Sequence, residues 1–520
     1  MMGASSTSRT LMVEQEIKLY VPPAAREAVK ARLTKLPGPR RVRLRAMYFD
    51  TPSRWLARHL AAIRLRLEGR QWVQTFKMAG ADSVSRIELN HRRPGPELDL
   101  SVYAGTPAEP LFAALDGELA LRYETDVMRL VRQVRVRRAN IEIAYDVGAV
   151  RAPGFEAQIN EIEFERTAGW VDALFGVAID WVKEHGLVLD ARSKAERGDA
   201  LARAGTVLAQ ALPEDEARVR AAQRAQLDAP VGAAKLDLPA DATPALALQM
   251  LSQSAFDQIV RNAALIAMAP AGADMAEHVH QLRVGVRRLR SGWRLLRGWT
   301  TLPEPALQED ARRFFQAFGA ARDTDVLLDT VFPTLEQAGM PPLARPVRAE
   351  GDAAGMAASH AFQTWLIELL RWLASLPARS AVSQAVAGND GAEPYAPLAV
   401  ARLRKWHRAV LRDGARYREL DEHARHALRK DVKRLRYGLG FARAYFESAR
   451  LKPYLKRLST LQDVLGEVND LAVARGYFLQ RAHAEPAAWF AVGWIAARLS
   501  ALESETVREV EALGKTRKFW

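Results

Sequence analysis

Glu14, Glu16 and Lys18 alternate with Val13, Gln15, Ile17 and Leu19 near the start of the chain. Successive side chains of an extended strand point to opposite faces, so the two carboxylates and the ammonium share one face and Val13, Ile17 and Leu19 the other. One such strand alone is ordinarily a strand with a solvated face. Here the pattern returns repeatedly before the chain changes character. Arg64 and Arg66 alternate with Ile63, Leu65 and Leu67, Thr75 and Lys77 follow in Gln74-Thr75-Phe76-Lys77, and Arg86 and Glu88 flank Ile87. Glu142 and Asp146 alternate with Ile141, Ile143 and Tyr145, and Glu161, Glu163 and Glu165 with Ile162 and Phe164.

Strands of this kind predict an antiparallel barrel with the usual polarity reversed. A small barrel ordinarily fills its lumen with apolar side chains. In this chain the apolar faces would pack outward under helices and the charged faces would line a hydrated bore. Desolvated charge is costly unless it is paired or met by a ligand of opposite sign, so a bore carrying both cations and carboxylates predicts an anion accompanied by a metal ion. Lys18, Arg64, Arg66, Lys77 and Arg86 would grip phosphoryl oxygens, while Glu14, Glu16, Glu161 and Glu163 would hold a divalent cation, Mg²⁺ or Mn²⁺.

The motifs in order are Glu14-x-Glu16-x-Lys18, Tyr48-Phe49-Asp50-Thr51-Pro52, Ile63-Arg64-Leu65-Arg66, Gln74-Thr75-Phe76-Lys77, Ile141-Glu142-Ile143-Ala144-Tyr145-Asp146, Glu161-Ile162-Glu163 and Ser193-Lys194-Ala195-x-Arg197-Gly198. Together they resemble the CYTH family, the triphosphate tunnel metalloenzymes, over residues 8–205. The resemblance implies a tunnel that hydrolyses inorganic triphosphate. Glu14, Glu16, Lys18 and Asp146 then stand as catalytic residues, and Arg129, Lys194 and Arg197 join the substrate-binding cations. Arg132 stands where the family has an aromatic, which bears on local packing.

Composition narrows the alternatives. The 520 residues suffice for two or three domains, and the absence of cysteine excludes disulfides, thiolate metal sites and cysteine nucleophiles. No apolar run reaches the length of a membrane span, and Trp489–Ala497 reads as a buried helix; these features predict a cytoplasmic protein. A net charge of +14 points to a polyanionic partner. No Walker-type glycine loop and no Ser/His/Asp order is present, so a phosphate site must be built from side chains.

Val171–Glu184 reads as an amphipathic helix stopping near Gly186, and residues 206–240 as a linker with one helix. From there to the C-terminus the texture is helical, rich in Ala, Leu and Arg, and internally repeated. His280-x-x-Arg283-x-x-x-Arg287-Arg288-x-Arg290 recurs as His426-x-x-Arg429-x-x-x-Lys433-Arg434-x-Arg436, and Arg322-Asp323 recurs as Asn469-Asp470. Two helical bundles follow, 241–376 and 397–520, joined through Pro377–Pro397. At 3.6 residues per turn His280, Arg283, Arg287, Arg290 and Arg294 fall within an arc of about 80°. His426, Arg429, Lys433 and Arg436 repeat the stripe, with almost no acids interspersed. A solvated face normally intersperses Glu with its cations.

This half resembles the CHAD family, the conserved-histidine α-helical domain, over residues 241–520. The resemblance implies binding of inorganic polyphosphate by the two stripes together with Arg288, Arg322 and Arg434. Lys433, Asn469 and Ala472 depart from Arg287, Arg322 and Asp325 of the first repeat, so unequal halves are expected. The combined expectation is an α+β multidomain chain: a β-barrel tunnel with outer helices acting on triphosphate, then an all-α polyphosphate-binding region. A location in the cytoplasm beside polyphosphate granules, no membrane partner and no specific nucleic-acid partner complete it. The competing readings are a basic nucleic-acid binder, a CYTH-type adenylate cyclase and a thiamine triphosphatase. Against the first, the stripes carry no interleaved aromatics for stacking bases.

Overall fold

The computed structural model describes residues 12–35, 38–79, 85–346, 353–376 and 394–520. The chain forms two compact units, Met1–Pro230 with Ala357–Ala378, and Val231–Met356 with Arg379–Trp520.

In the first unit the alternating segments form the strands β1 (Met12–Tyr20), β2 (Arg40–Asp50), β3 (Ala61–Glu68), β4 (Gln71–Ala79), β5 (Ser85–Arg93), β6 (Ala120–Val136), β7 (Ala139–Ala152) and β8 (Phe155–Gly169). They hydrogen-bond in the order β5-β4-β3-β2-β6-β7-β8-β1, and β1 closes the barrel by pairing with β5 as well. The closure divides β1 in two. Met12–Gln15 runs antiparallel to Ser85–Glu88, and Glu16–Tyr20 antiparallel to Glu161–Glu165. A two-residue strand, β9 (Val188–Leu189), adds to the free edge of β1.

The apolar faces pack outward, and Ile17, Leu19, Ile63, Leu65, Ile141, Ile143, Ile162 and Phe164 are each at most 1% exposed. Their cover comes partly from α1 (Arg26–Thr34) and α4 (Asp172–His185), with α2 (Trp55–Arg58) and α3 (Glu109–Ala113) closing another side. Trp181 of α4 meets Phe164 edge-on at 5.7 Å, and Gly186 ends α4 in the left-handed conformation at φ 63°. Arg132 sits on this outer face and is buried, donating from Nη1 to the Leu33 carbonyl of α1 at 2.8 Å. A guanidinium with a carbonyl partner thus fills the place of the expected aromatic.

The inner face is not charged along its whole length, which corrects the expectation of a uniformly hydrated bore. Leu44, Ala46, Tyr48, Tyr123, Val127, Val150 and Ile159 form an apolar cluster with Leu201, Ala202 and Leu208 of α5 (Lys194–Leu208). Ala46 and Tyr48 stand opposite Arg66 and Arg64 in register, so the cluster shares the face of those arginines. A helix seated there needs apolar partners and close backbone approach. A Cβ on Gly198 would lie 2.1 Å from the Tyr123 ring.

Two boundaries differ from those read in the sequence. Residues 206–230 are part of the first unit: α6 (Glu216–Leu227) is held by Arg220 and Arg224, whose Nη1 groups donate to the Gly154 and Glu156 carbonyls at 2.6 and 3.1 Å. The expected bundle 241–376 also gives up its last helix. After α7 (Pro244–Met268), α8 (Ala276–Leu296), α9 (Pro305–Val326), α10 (Phe332–Gln337) and α11 (Ala353–Ala358), the helix α12 (His360–Ser375) packs in the first unit. Gln363 Oε1 accepts the Leu189 N–H at 2.8 Å, and Arg371 lies over the Phe175 ring of α4 at 5.6 Å. Phe362, Trp365, Leu366 and Leu369 bury the apolar side of α12.

The second unit is all helical among the described residues. To α7–α10 it adds α13 (Tyr395–Ala415), α14 (Glu422–Phe441), α15 (Ser448–Arg481) and α16 (Ala488–Lys515). Residues 377–393, most of the expected connection between bundles, lie outside the described residues. Trp489–Ala497 does form helix within α16, but only partly buried: Ala491 and Ile495 are covered and Trp489 is 53% exposed. No helix among the described residues is long and apolar enough to cross a membrane.

Because α12 covers α4 and β9 from a distant stretch of chain, a protein truncated after Pro230 should melt well below the full chain. Trp365→Ala in the full chain should cost about 3–5 kcal/mol. Denaturant unfolding of both checks this, and an unshifted transition in either would show that α12 is not part of that core.

Candidate functional site

Register places the charged side chains of the first unit in rows across the inner face. Arg129, Asp146 and Glu161 are neighbours on β6, β7 and β8, Lys18 stands opposite Glu163, and Glu16 opposite Glu165. The side chains meet as one continuous network. Arg129 donates from Nε and Nη2 to the two Asp146 oxygens at 2.7 and 2.6 Å, and from Nη2 to Glu163 Oε2 at 2.5 Å. Lys194, the first residue of α5, lies 2.6 Å from Asp146 Oδ2 and 2.9 Å from Glu163 Oε1, and also pairs with Glu161. Arg197, one turn on, pairs with the other Glu161 oxygen. Lys18 stands 3.7 Å from Glu16 and 3.5 Å from Glu163.

Three further cations sit beyond this knot on the same face. Arg64 Nη1 donates to the Tyr48 hydroxyl at 3.1 Å, Arg66 pairs with Glu68, and Lys77 lies 2.7 Å from Glu88. The Nε groups of Arg64 and Arg66 are buried and have no hydrogen-bond partner among the described residues. Burial and the neighbouring Arg64 push the Arg66 guanidinium down to about 10, and burial does the same to Arg197. The carboxylates Glu163 and Asp146 are held ionised by the cations around them. Burial alone would raise Glu163, but Lys194, Arg129 and Lys18 outweigh it and hold it well below the ordinary range; Asp146 is lowered in the same way by Lys194 and Arg129.

Asp146, Glu161 and Glu163 offer oxygens within 4.8 Å of one another, a spacing that could hold a metal ion. Asp146, expected to be catalytic, thus joins Glu161 and Glu163, while Glu16 lies beside the group and pairs with Lys18 at 3.7 Å. Glu14 and Arg86 are opposite each other in the β1–β5 register, and their side chains lie outside the described residues. Tyr48, which meets Arg64, and Glu88, which pairs with Lys77, stand in the sequence motifs without a site role. Glu88 shares the strand parity of Arg86, a signal that was available; the Tyr48 contact needs the β2–β3 register. Tyr48-Phe49-Asp50-Thr51-Pro52 beyond Tyr48 is a folding device. Asp50 Oδ1 accepts from the backbone of Thr51 and Leu56 at 2.8 and 2.9 Å, and Oδ2 from Ala57 at 3.0 Å, fixing the start of α2.

In the second unit the two basic stripes lie on neighbouring helices, with Arg287 Nη1 of α8 3.4 Å from the Tyr437 hydroxyl of α14. Lys433 is the point of convergence. Burial and the charges of Arg287, Arg429 and Arg283, opposed by Asp470, push its ammonium down to about 6. The stripes carry no aromatics themselves, but α9 supplies one. The Phe315 ring lies beneath the guanidinium carbons of Arg283, Arg287 and Arg290 at 4.8, 5.4 and 5.5 Å. His426 Nδ1 contacts Asn469 at 3.2 Å and Arg429 reaches Asp470 at 3.9 Å, so in the second repeat the Asn-Asp pair meets the stripe. Arg436 is held by Gln462 at 2.7 Å.

Arg288 does not join the stripe. It is 4% exposed, donates to Gln258 at 2.6 Å and to Ser254 at 3.0 Å on α7, and serves packing, because one residue on from Arg287 it points about 100° away. Arg434, its counterpart, pairs with Asp431 and lies 5.4 Å over Trp406. Arg294 still acts on Arg434 electrostatically, helping burial to lower it to about 10. The Arg322 side chain lies outside the described residues.

With this geometry in view, residues 12–198 match the CYTH domain and residues 250–479 the CHAD domain. The chain is a CYTH domain followed by a CHAD domain. The CYTH portion is similar to an inorganic triphosphatase of Haemophilus influenzae, with 31% identity over 158 residues, 29% of this chain and 44% of that protein. The match thus spans less than half of that relative's length. The crystal structure of the CHAD domain of the plant Ricinus communis is 28% identical, covers 56% of this chain and 98% of its own, and aligns with a TM-score of 0.43. A putative adenylyl cyclase from Hippeastrum, described as having a dominant triphosphatase activity, is 21% identical, covers 39% of this chain and 98% of its own, and aligns at 0.28.

The Lys433 environment carries a pH signature. The unfolded lysine titrates near 10.5 and the folded one near 6, so the unfolded chain binds more protons between those values and stability falls as pH drops through that window. Lys433→Met should therefore raise the melting temperature by a few degrees at pH 7 in anion-free buffer, with the difference shrinking toward pH 10. Calorimetric scans at both pH values test it, and a variant less stable than wild type at pH 7 would contradict the clustering of like charge.

Proposed function

We propose that the CYTH domain hydrolyses inorganic triphosphate to diphosphate and phosphate with the help of Mg²⁺ or Mn²⁺, and that the CHAD domain binds inorganic polyphosphate. The observation that carries the first half is the pairing, on one barrel face, of partnerless buried guanidinium N–H groups on Arg64 and Arg66 with the carboxylates Asp146, Glu161 and Glu163. The name of the Haemophilus influenzae relative supports the same substrate.

Three carboxylates are hard oxygen donors and fit Mg²⁺ or Mn²⁺, with Glu16 close enough to share the field. A divalent cation held there would neutralise phosphoryl charge. Arg64, Arg66, Lys77 and Arg197 would grip non-bridging oxygens of the triphosphate, and Lys18 and Arg129 would hold Glu16, Glu163 and Asp146 ionised and oriented. Phosphoryl transfer needs little from a protein beyond such positioning and charge neutralisation. Water attacks the terminal phosphorus, the bridging P–O bond breaks, and diphosphate leaves with the negative charge its cations stabilise. In the CHAD domain, Arg283, Arg287, Arg290, Arg429 and Lys433 form a surface whose mutual repulsion a polyanion relieves. Residence in the cytoplasm, beside polyphosphate granules, belongs to the same reading.

Phosphate release from triphosphate, ATP, thiamine triphosphate and long polyphosphate, with and without EDTA, tests the tunnel. Triphosphate should be preferred and EDTA should abolish turnover; metal-dependent cyclisation of ATP would make the domain a cyclase instead. Glu16→Gln should lower kcat at least about tenfold, whereas Arg64→Ala should chiefly raise KM by about 10–100-fold, the value of a charge-assisted hydrogen bond. For the helical unit, reversing Arg283, Arg287, Arg429 and Lys433 to Glu in the full chain should abolish binding of labelled polyphosphate while circular dichroism stays unchanged. DNA or RNA competing as well as polyphosphate at fixed ionic strength would make the surface a general nucleic-acid binder.

A further inference from the structure

The three carboxylates that could hold a metal already hold a cation of the protein itself. Each points an oxygen at one atom, Lys194 Nζ: Asp146 Oδ2 at 2.6 Å, Glu163 Oε1 at 2.9 Å, and Glu161 Oε1 in direct contact. The outer oxygens are occupied by arginines, Arg129 on Asp146 Oδ1 and Glu163 Oε2, and Arg197 on Glu161 Oε2. A metal ion taken up by these carboxylates would compete for the oxygens that Lys194 now holds, and two cations repel strongly at such separations when solvent is excluded.

Lys194 is built to give way where the arginines are not. Its backbone is anchored, because the Ser193 side chain accepts the Glu196 N–H at 3.0 Å to cap α5 and Gly198 packs against Tyr123. Its side chain is a flexible four-carbon stem bearing a point charge, unlike the bidentate fork with which Arg129 grips Asp146. The cations that would grip phosphate are close by: Arg64 Nη1 donates to the Tyr48 hydroxyl at 3.1 Å, and that hydroxyl also feels the charge of Lys194.

We propose that Lys194 is an exchangeable internal cation: it occupies the carboxylate trio until a divalent metal displaces it, and the displaced ammonium then binds the phosphoryl oxygens of the arriving substrate. This rests on the metal-dependent reading of the tunnel. Its consequence is that metal and triphosphate bind cooperatively, since each favours the same displaced position of one side chain. Without Lys194 the trio would be left with excess buried negative charge, stabilised mainly by added metal.

The test is Mn²⁺ binding to the full chain, measured by calorimetry without triphosphate, for wild type, Lys194→Met and Lys194→Arg. Removing the competitor should make Lys194→Met bind Mn²⁺ at least tenfold more tightly than wild type, while Lys194→Arg, whose fork is harder to displace, should bind more weakly. Equal or weaker binding by Lys194→Met overturns the exchange. If Lys194→Met is too unstable in EDTA for calorimetry, its melting temperature is followed against Mn²⁺: a larger rise than in wild type supports the proposal, and no larger rise refutes it. Should none of the three proteins bind Mn²⁺ while wild type still hydrolyses triphosphate in EDTA, the metal reading itself fails and the exchange with it.

Discussion

Charge kept out of water on the inner face of the barrel is the constraint on which the first unit depends. Glu16, Lys18, Arg129, Asp146, Glu161, Glu163, Lys194 and Arg197 are joined by ion pairs contributed from β1, β6, β7, β8 and α5. Desolvating such groups costs more than packed hydrocarbon would, and a buried pair broken at one partner is strongly destabilising. The network is therefore poor material for stability and well suited to a ligand of matching charge. Stability is supplied elsewhere: by the outward apolar faces, by the seat of α5 on Tyr48 and Tyr123, and by α12 over α4.

The insertion of α12 changes what counts as a domain in this chain. A cut between residues 205 and 241, natural from composition, would leave the first unit without a helix that buries Trp365 and receives the Leu189 N–H. The strand beside that contact is β1, whose Lys18 carbonyl accepts the Asp190 N–H at 3.3 Å. Part of the support behind the Glu16–Lys18 strand is thereby donated by chain from beyond residue 356.

The helical unit concentrates charge differently. Arg287, Arg429 and Arg283 act together on Lys433, and Arg283, Arg287 and Arg290 lie over Phe315. The repeats are unequal, since the second meets Asn469 and Asp470 through His426 and Arg429.

Strand parity alone determined which side chains share a face, and therefore that Glu16, Lys18, Arg64, Arg66, Lys77, Asp146, Glu161 and Glu163 line the inside of one barrel. That follows because a two-residue period is a property of the backbone. Helical periodicity likewise determined the stripes and, read strictly, already separates Arg288 from Arg287 by about 100°. What only the tertiary structure decided are the partnerships: that Asp146 rather than Glu16 stands with Glu161 and Glu163, that α5 brings Lys194 among them, that Tyr48 meets Arg64, and that α12 crosses to the first unit. Such contacts join residues far apart in the chain, and their choice depends on register across strands and on which apolar surfaces remain to be covered, neither of which a local pattern records.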